Sequence, residues 1–269
     1  MINIESIDGY RYDLTGMGIH PLKLIIDSLS PRHESEIVEG RDGHVDLETT
    51  YDGRTLSASF YIESVDGYDY NQLRNQVYRL FNGKTYFYVI DVKEPKKRWK
   101  VKTASKFTVD KLSRIVGAFD LALMSTSPYA ESIGTTLDEL TFDKEKWQVG
   151  QGLVLENPVY VHQLPTFKIF NAGDVTVDPC QMPLRITFKG ESTNLQIKNL
   201  TTGDTWAYTG ITGVNDTITL DGIRSLINGV SVFGQTNKKV LSIAPGWNDF
   251  EITGASEFLI SFDFRFYYY

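Results

Sequence analysis

Alternation of apolar and polar residues runs through most of this chain. In "TLSASFYIES" (Thr55–Ser64), Leu56, Ala58, Phe60 and Ile62 share one side at period two, and Ser57, Ser59 and Tyr61 take the other. That predicts a strand with one face in a core and one wetter. Leu22–Asp27, Tyr86–Val92, Arg98–Ala104 and Ile115–Met124 read the same way, with Gly, Pro, Asp and Asn between them as hairpin-linked strands require. One segment breaks the period. Tyr70, Leu73, Val77, Leu80 and Phe81 fall at helical spacing, Asp66 or Asp69 can cap the start, and Gly83 supplies a left-handed stop. A single amphipathic helix of about three turns, packed on the sheet, is expected.

From about 126 to 165 the texture turns polar, and Pro158 and Pro165 bracket a short strand. This marks a domain connection within about ten residues of 140. The expected domains are residues 1–140 and 141–269. Beyond it, eight short strands are predicted: Thr166–Asn171, Pro183–Gly190, Leu195–Leu200, Asp204–Gly210, Asp216–Gly222, Lys239–Gly246, Asn248–Gly254 and Phe258–Tyr269. Short strands at spacings near ten residues, with Gly or Asn-Asp turns, predict a β-sandwich of jelly-roll type. The fold class is therefore mainly β, in two domains.

Composition narrows the chemistry. The net charge is −7 and evenly spread, which argues against a broad phosphate-gripping face. One cysteine, Cys180, makes neither an internal disulfide nor a cysteine-based zinc site. The N-terminus lacks the apolar segment of a signal peptide, and no run reaches the ~18 apolar residues of a membrane helix. A soluble chain folded in a cytoplasm is expected. Fifteen Tyr and fifteen Phe suit strands and protein interfaces.

The search for a reaction centre returns little. His20, His33, His44 and His162 include no pair at ligand spacing. "NGKT" (Asn82–Thr85) imitates the end of a phosphate loop, but Tyr78 stands where the pattern needs glycine, and the helix precedes the loop instead of following it. No Gly-x-Ser-x-Gly elbow occurs. Thirty-four acids do not select a glycosidase pair. The basic stretch Asp91–Lys106 carries Trp99 and could clamp single-stranded nucleic acid. Lys100 and Lys102 alternating with Val101 instead fit the wet face of a strand, where lysines guard an edge. No enzyme, cofactor or metal is expected.

Taken in order, the motifs resemble one family. "GRDGHVDLETTYDGRTLSASFYIES", "YNQLRNQVYRLFNGK" and "YFYVIDVKEPKKRWKVK" lead the first half; "FNAGDVTVDPCQMPLRITFKG", "LQIKNLTTGDTW", "DTITLDGIRSLINGVSV" and "LSIAPGWNDFEITGASEFLISFDFRF" fill the second. Order and spacing together resemble the distal tail protein (Dit) family of long-tailed, non-contractile phages over nearly the full length. The charged "HVDLETTYDG" and the segment at about 130–165 depart from the family pattern.

The resemblance implies a structural virion protein at the phage tail tip. Its N-terminal β domain with one helix would form a homohexameric ring, and a galectin-like β-sandwich would project outward. The ring would join the tail tube protein to the tail-tip hub protein and to baseplate or receptor-binding proteins. DNA would pass through the channel without specific binding, and no membrane would be involved. In "GRDG", Gly40 and Gly43 would shape a turn presenting Arg41 and Asp42 for ionic contacts between subunits; Tyr51 and Arg54 complete that candidate interface. The competing reading is a carbohydrate-binding module contacting host cell-wall glycan through Trp206, Tyr208 or Trp247.

Overall fold

The computed structural model describes residues 2–139, 146–147, 150–152 and 158–269. The expected boundary at 140/141 lies outside the described residues. The chain divides into two compact units, Met1–Ala130 with Tyr269, and Glu131–Tyr268.

The first unit contains β1 (Ile2–Ser6), β2 (Arg11–Tyr12), β3 (Ile19–Ile26), β4 (Pro31–Glu36), β5 (Val45–Tyr51), β6 (Arg54–Glu63), α1 (Asp69–Leu80), β7 (Phe87–Asp91), β8 (Lys97–Thr103), β9 (Asp110–Lys111) and β10 (Val116–Ser125). Strands line up in the order β2-β1-β7-β8-β10-β6-β3, with β9 on β10, while β4 and β5 form a separate two-stranded ribbon. The alternation in β6 does what its sequence demands: Leu56, Ala58, Phe60 and Ile62 are all buried. Register sets Phe60 opposite Phe119 of β10, and their rings stack with centroids 5.1 Å apart.

Helix α1 closes that face. Tyr70, Leu73 and Val77 are buried on its inner side, and Phe81 lands between Phe60 (5.6 Å), Phe87 (5.7 Å) and Phe119 (6.1 Å). Ahead of the helix, the Asp66 carboxylate accepts the backbone N–H groups of Tyr68 and Asp69, both at 2.8 Å, and these bonds hold its pKa below the ordinary value. Gly83, at φ +75°, ends the segment as expected.

Strand β11 (Ala130–Ser132) spans the division. The second unit adds β12 (Val161–His162), β13 (Thr166–Asn171), β14 (Leu184–Asn199), β15 (Thr205–Ala207), β16 (Ile211–Thr212), β17 (Thr217–Asp221), β18 (Arg224–Ile227), β19 (Val230–Ser231), β20 (Gly246–Phe264) and β21 (Tyr267–Tyr268). The two long strands β14 and β20 pair along their length, with register breaks between Gly190 and Ser192 and between Ser192 and Gln196. Gly190, Asn194 and Gly254 take positive φ there. One half of the ribbon carries β13 and β15; the other carries β12, β17, β18 and β19.

Those breaks fold the ribbon over. Phe250 and Phe262 lie twelve positions apart in β20, about 40 Å if the strand were straight. Their centroids are 4.9 Å apart. The halves therefore face each other as the two layers of a sandwich, with Phe167, Phe250 and Phe262 between them. Trp206 of β15 reaches across to donate its Nε1–H to Ser225 Oγ of β18 at 3.1 Å.

Three expectations are corrected. Pro183–Gly190 and Leu195–Leu200 are one bent strand, as are Asn248–Gly254 and the start of Phe258–Tyr269. The segment Lys239–Gly246 joins a strand only at Gly246, the start of β20, and makes a single bridge from Ile243 to Val177. Its polar backbone is held by side chains instead: Asn248 Oδ1 accepts Ala244 N–H at 2.9 Å, and Asn248 Nδ2 donates to Ala244 O at 2.7 Å. The ribbon β4–β5 was not predicted at all.

Candidate assembly interface

The ribbon is the feature of this fold that its own unit does not use. Strands β4 and β5 pair from Pro31↔Tyr51 to Glu36↔Val45, with a bulge after Glu34. Every β4 side chain is exposed, and β5 is exposed except at Val45 and Thr50. At the tip Ile37 is 73% exposed, and in β5 Leu47 is 60% exposed. A lone two-stranded hairpin is marginal in water, because it has no face to bury.

The residues selected from sequence divide by position. Arg41 and Asp42 sit on the exposed tip, with Arg41 N–H closing a turn onto Val38 O at 3.1 Å and Gly40 and Gly43 at φ +81° and +83°. No L side chain takes those angles without strain. Tyr51 ends β5 with its ring partly exposed. Arg54 is different, for it anchors the base. Its Nε donates to Asp27 O at 2.7 Å, Nη1 donates to Pro128 O at 3.3 Å, and the guanidinium lies 4.9 Å from the Trp99 ring centroid. Beside it Thr55 Oγ1 donates to Asp27 Oδ2 at 2.5 Å. Three of the four thus lie on the ribbon, and the fourth fixes where the ribbon leaves the sheet.

Of the three aromatic residues proposed for glycan, Trp206 is 1% exposed and Tyr208 6%. Neither offers a ring face to a sugar. Trp247 is 37% exposed and leans on Phe170 at 4.9 Å. In the basic segment, Trp99 is buried and Arg98 lies 3.6 Å over the Tyr88 ring with an ion pair to Glu5 at 3.4 Å, so neither is available to stack on a nucleobase. Two of the histidines stack on aromatic rings, His20 on Tyr61 at 4.5 Å and His162 on Phe167 at 4.3 Å. Burial and neighbouring Asp178 push the Cys180 thiol up, away from thiolate chemistry. Among the described residues, no three His, Cys, Asp or Glu side chains gather around a point that could hold a metal ion.

Residues 7–125 match the sequence model of the phage tail protein RIFT-related domain. Over the whole chain, the crystal structure of the Dit protein of phage SPP1 superposes with a TM-score of 0.71 at 12% identity, covering 99% of each chain. The chain has the fold of a phage distal tail protein. That SPP1 protein is described as a paradigm of the hub adsorption apparatus in phages infecting Gram-positive bacteria. Chains of the phage p2 baseplate in its activated conformation are similar too. With calcium the TM-score is 0.51 at 11% identity, and with strontium 0.50 at 10%; each covers 98% of this chain and 97% of the other. Comparison with curated protein sequences gives no match. The domain matched at residues 7–125 and the fold are those of phage tail proteins, as the order of sequence motifs led us to expect.

Proposed function

We propose that the chain is a structural distal tail protein of a long-tailed phage, acting without catalysis at the tail tip of the virion. Six copies close into a ring through the N-terminal domain (residues 1–140). The ring joins the tail tube to the tail-tip hub and to baseplate or receptor-binding proteins, and it leaves a channel for DNA. The C-terminal sandwich (residues 141–269), galectin-like in this reading, projects outward. An acidic chain lining a channel repels DNA and lets it pass. Assembly takes place in the host cytoplasm.

The uncovered ribbon carries this reading. A well-formed hairpin with both faces wet is stabilised only by what it meets outside its own unit, and a ring of copies supplies that contact. Arg41 and Asp42 at its tip offer both signs of charge to a neighbour. The native mass of the purified chain tests this: a hexamer is expected, and Arg41→Ala with Asp42→Ala should shift the population toward smaller species. Unchanged hexamers in the double variant would remove the tip from the interface. A monomer at every concentration would remove the self-assembling ring.

The exposed ring of Trp247 supports one second reading, in which the C-terminal sandwich holds cell-wall glycan. With Trp206 and Tyr208 in the core, Trp247 would carry that contact without them.

A further inference from the structure

We infer that the acidic ribbon of one copy seats on the basic β7–β8 hairpin of the next copy around the ring. This rests on the ring reading above and names the surface that receives the ribbon.

Charge is the first reason. Between Pro31 and Tyr51 six acids stand against two arginines, and between Asp91 and Lys106 seven lysines and arginines stand against Asp91 and Glu94. The second reason is a conflict inside the ribbon. Glu34 sits directly opposite Glu48, and past the bulge Asp46 pairs with Ser35. Like charges paired across strands are destabilising. Arg32 on that side is drawn to Asp52 at 3.6 Å and to Thr50 Oγ1 at 3.3 Å, which leaves the carboxylates facing outward. A cationic partner removes the repulsion.

The basic hairpin is built to receive it. Arg98 and Trp99 are buried and hold β8 in place, while Lys93 and Lys100 are exposed. Lys100 and Lys102 hold their Nζ atoms 5.3 and 5.6 Å from the Tyr86 ring centroid, which fixes the two charges over one patch.

Register supplies the geometry. Arg54 pairs with Ser125, Ser125 with Val101 and Val101 with Phe87, so these four residues mark one rim of the sheet. The ribbon leaves the rim beside Arg54. The β7–β8 turn leaves the same rim past Val101, two to three ladder steps away, roughly 10–14 Å. Donor and acceptor thus leave the same rim of one unit at separate points. A head-to-tail rotation brings one side of each copy against the other side of the next. A two-fold pairing of ribbons would set acid against acid.

The test uses the full chain and three variants: Glu34→Lys/Asp46→Lys/Glu48→Lys, Lys93→Glu/Lys100→Glu/Lys102→Glu, and the two sets combined. Native mass is read against concentration and salt. The unaltered oligomer should dissociate as salt rises, each single set should weaken association about tenfold or more, and the combined set should restore it. An unaltered chain that stays monomeric in low salt overturns the ring reading, and this inference with it. A ring that forms but ignores salt, or that keeps its mass in either single set, overturns this inference alone. So does a combined variant that remains as weak as the single sets.

Discussion

Asn248 offers a direct measure of how the second unit is held together. Its side chain is fully buried and takes part in four hydrogen bonds. Nδ2 donates to Ala244 O at 2.7 Å and Gly246 O at 3.1 Å; Oδ1 accepts from Ala244 N–H at 2.9 Å and Asn199 Nδ2 at 3.1 Å. Asn248→Ala removes all four bonds, which are buried or part-buried, and leaves Asn199 Nδ2 with Ser242 O alone. At about 1 kcal/mol net for each bond, the loss is ~4 kcal/mol, close to a thousandfold in the folding equilibrium. For a unit of this size that corresponds to a fall in Tm of about 8–16 °C.

Two companions separate burial from bond count. Asn237 also holds three bonds, donating to Thr205 O at 2.7 Å and accepting Ala207 N–H at 3.2 Å and Lys239 N–H at 3.3 Å, but its side chain is exposed. Water replaces those partners, so Asn237→Ala should cost about 1 kcal/mol or less. Asn248→Asp keeps the shape, loses both donated bonds, and aims a carboxylate at two carbonyls. Burial then raises its folded pKa above the unfolded value near ~3.9. Its destabilisation is smallest below that pH and grows as pH rises. Urea unfolding followed by tryptophan fluorescence, with calorimetry to resolve the two units, gives all three numbers. Equal costs for Asn237→Ala and Asn248→Ala, or less than about 1 kcal/mol for Asn248→Ala, would refute the argument that buried amides replace a ladder here.

Asp204 accepts the N–H and Oγ–H of Ser242 and the hydroxyl of Thr202; these bonds outweigh a burial that acts the other way, and its pKa is lowered. A depressed carboxylate contributes stability that is present above the unfolded pKa and fades as pH falls through the folded one. Acid titration should therefore weaken the second unit below about pH 4, with a smaller slope in Asp204→Asn, measured as Tm against pH. For the glycan reading, a titration of the chain with cell-wall oligosaccharides should give no saturable signal, with or without Trp247→Ala; a signal present in the parent and lost in the variant would establish that second reading.

How much of this was legible depends on whether a residue had a core to point at. Alternation located β6 and β13 to within a residue, and helical spacing located α1, because each answers to one buried face. Gly190 and Gly254 read as strand ends because glycine ends strands more often than it bends them; here they let one ribbon fold onto itself. Lys239–Gly246 carries apolar residues at strand spacing, yet Asn248, two positions past its end, decides its conformation. Trp206 and Tyr208 stand two apart, so period two already put them on one face, and that face is the core. The ribbon escaped notice because "PRHESE" has no apolar side and "VDLETTY" offers only Val45, Leu47 and Tyr51 at period two, none of them buried. Pattern reading finds strands through what they bury, and β4 and β5 bury little in their own unit.

That same absence connects the fold to the proposed ring. Fixing the backbone of a residue costs about 1–2 kcal/mol, and in the rest of the first unit apolar burial offsets it. In β4 and β5 ladder hydrogen bonds act almost alone, against the Glu34–Glu48 repulsion. A long acidic ribbon, rooted by Arg54 in the carbonyls of Asp27 and Pro128, makes physical sense when its stabilisation comes from a neighbour. Ring closure would then be coupled to ribbon order: a copy without a neighbour holds a weak hairpin, and each added copy strengthens one.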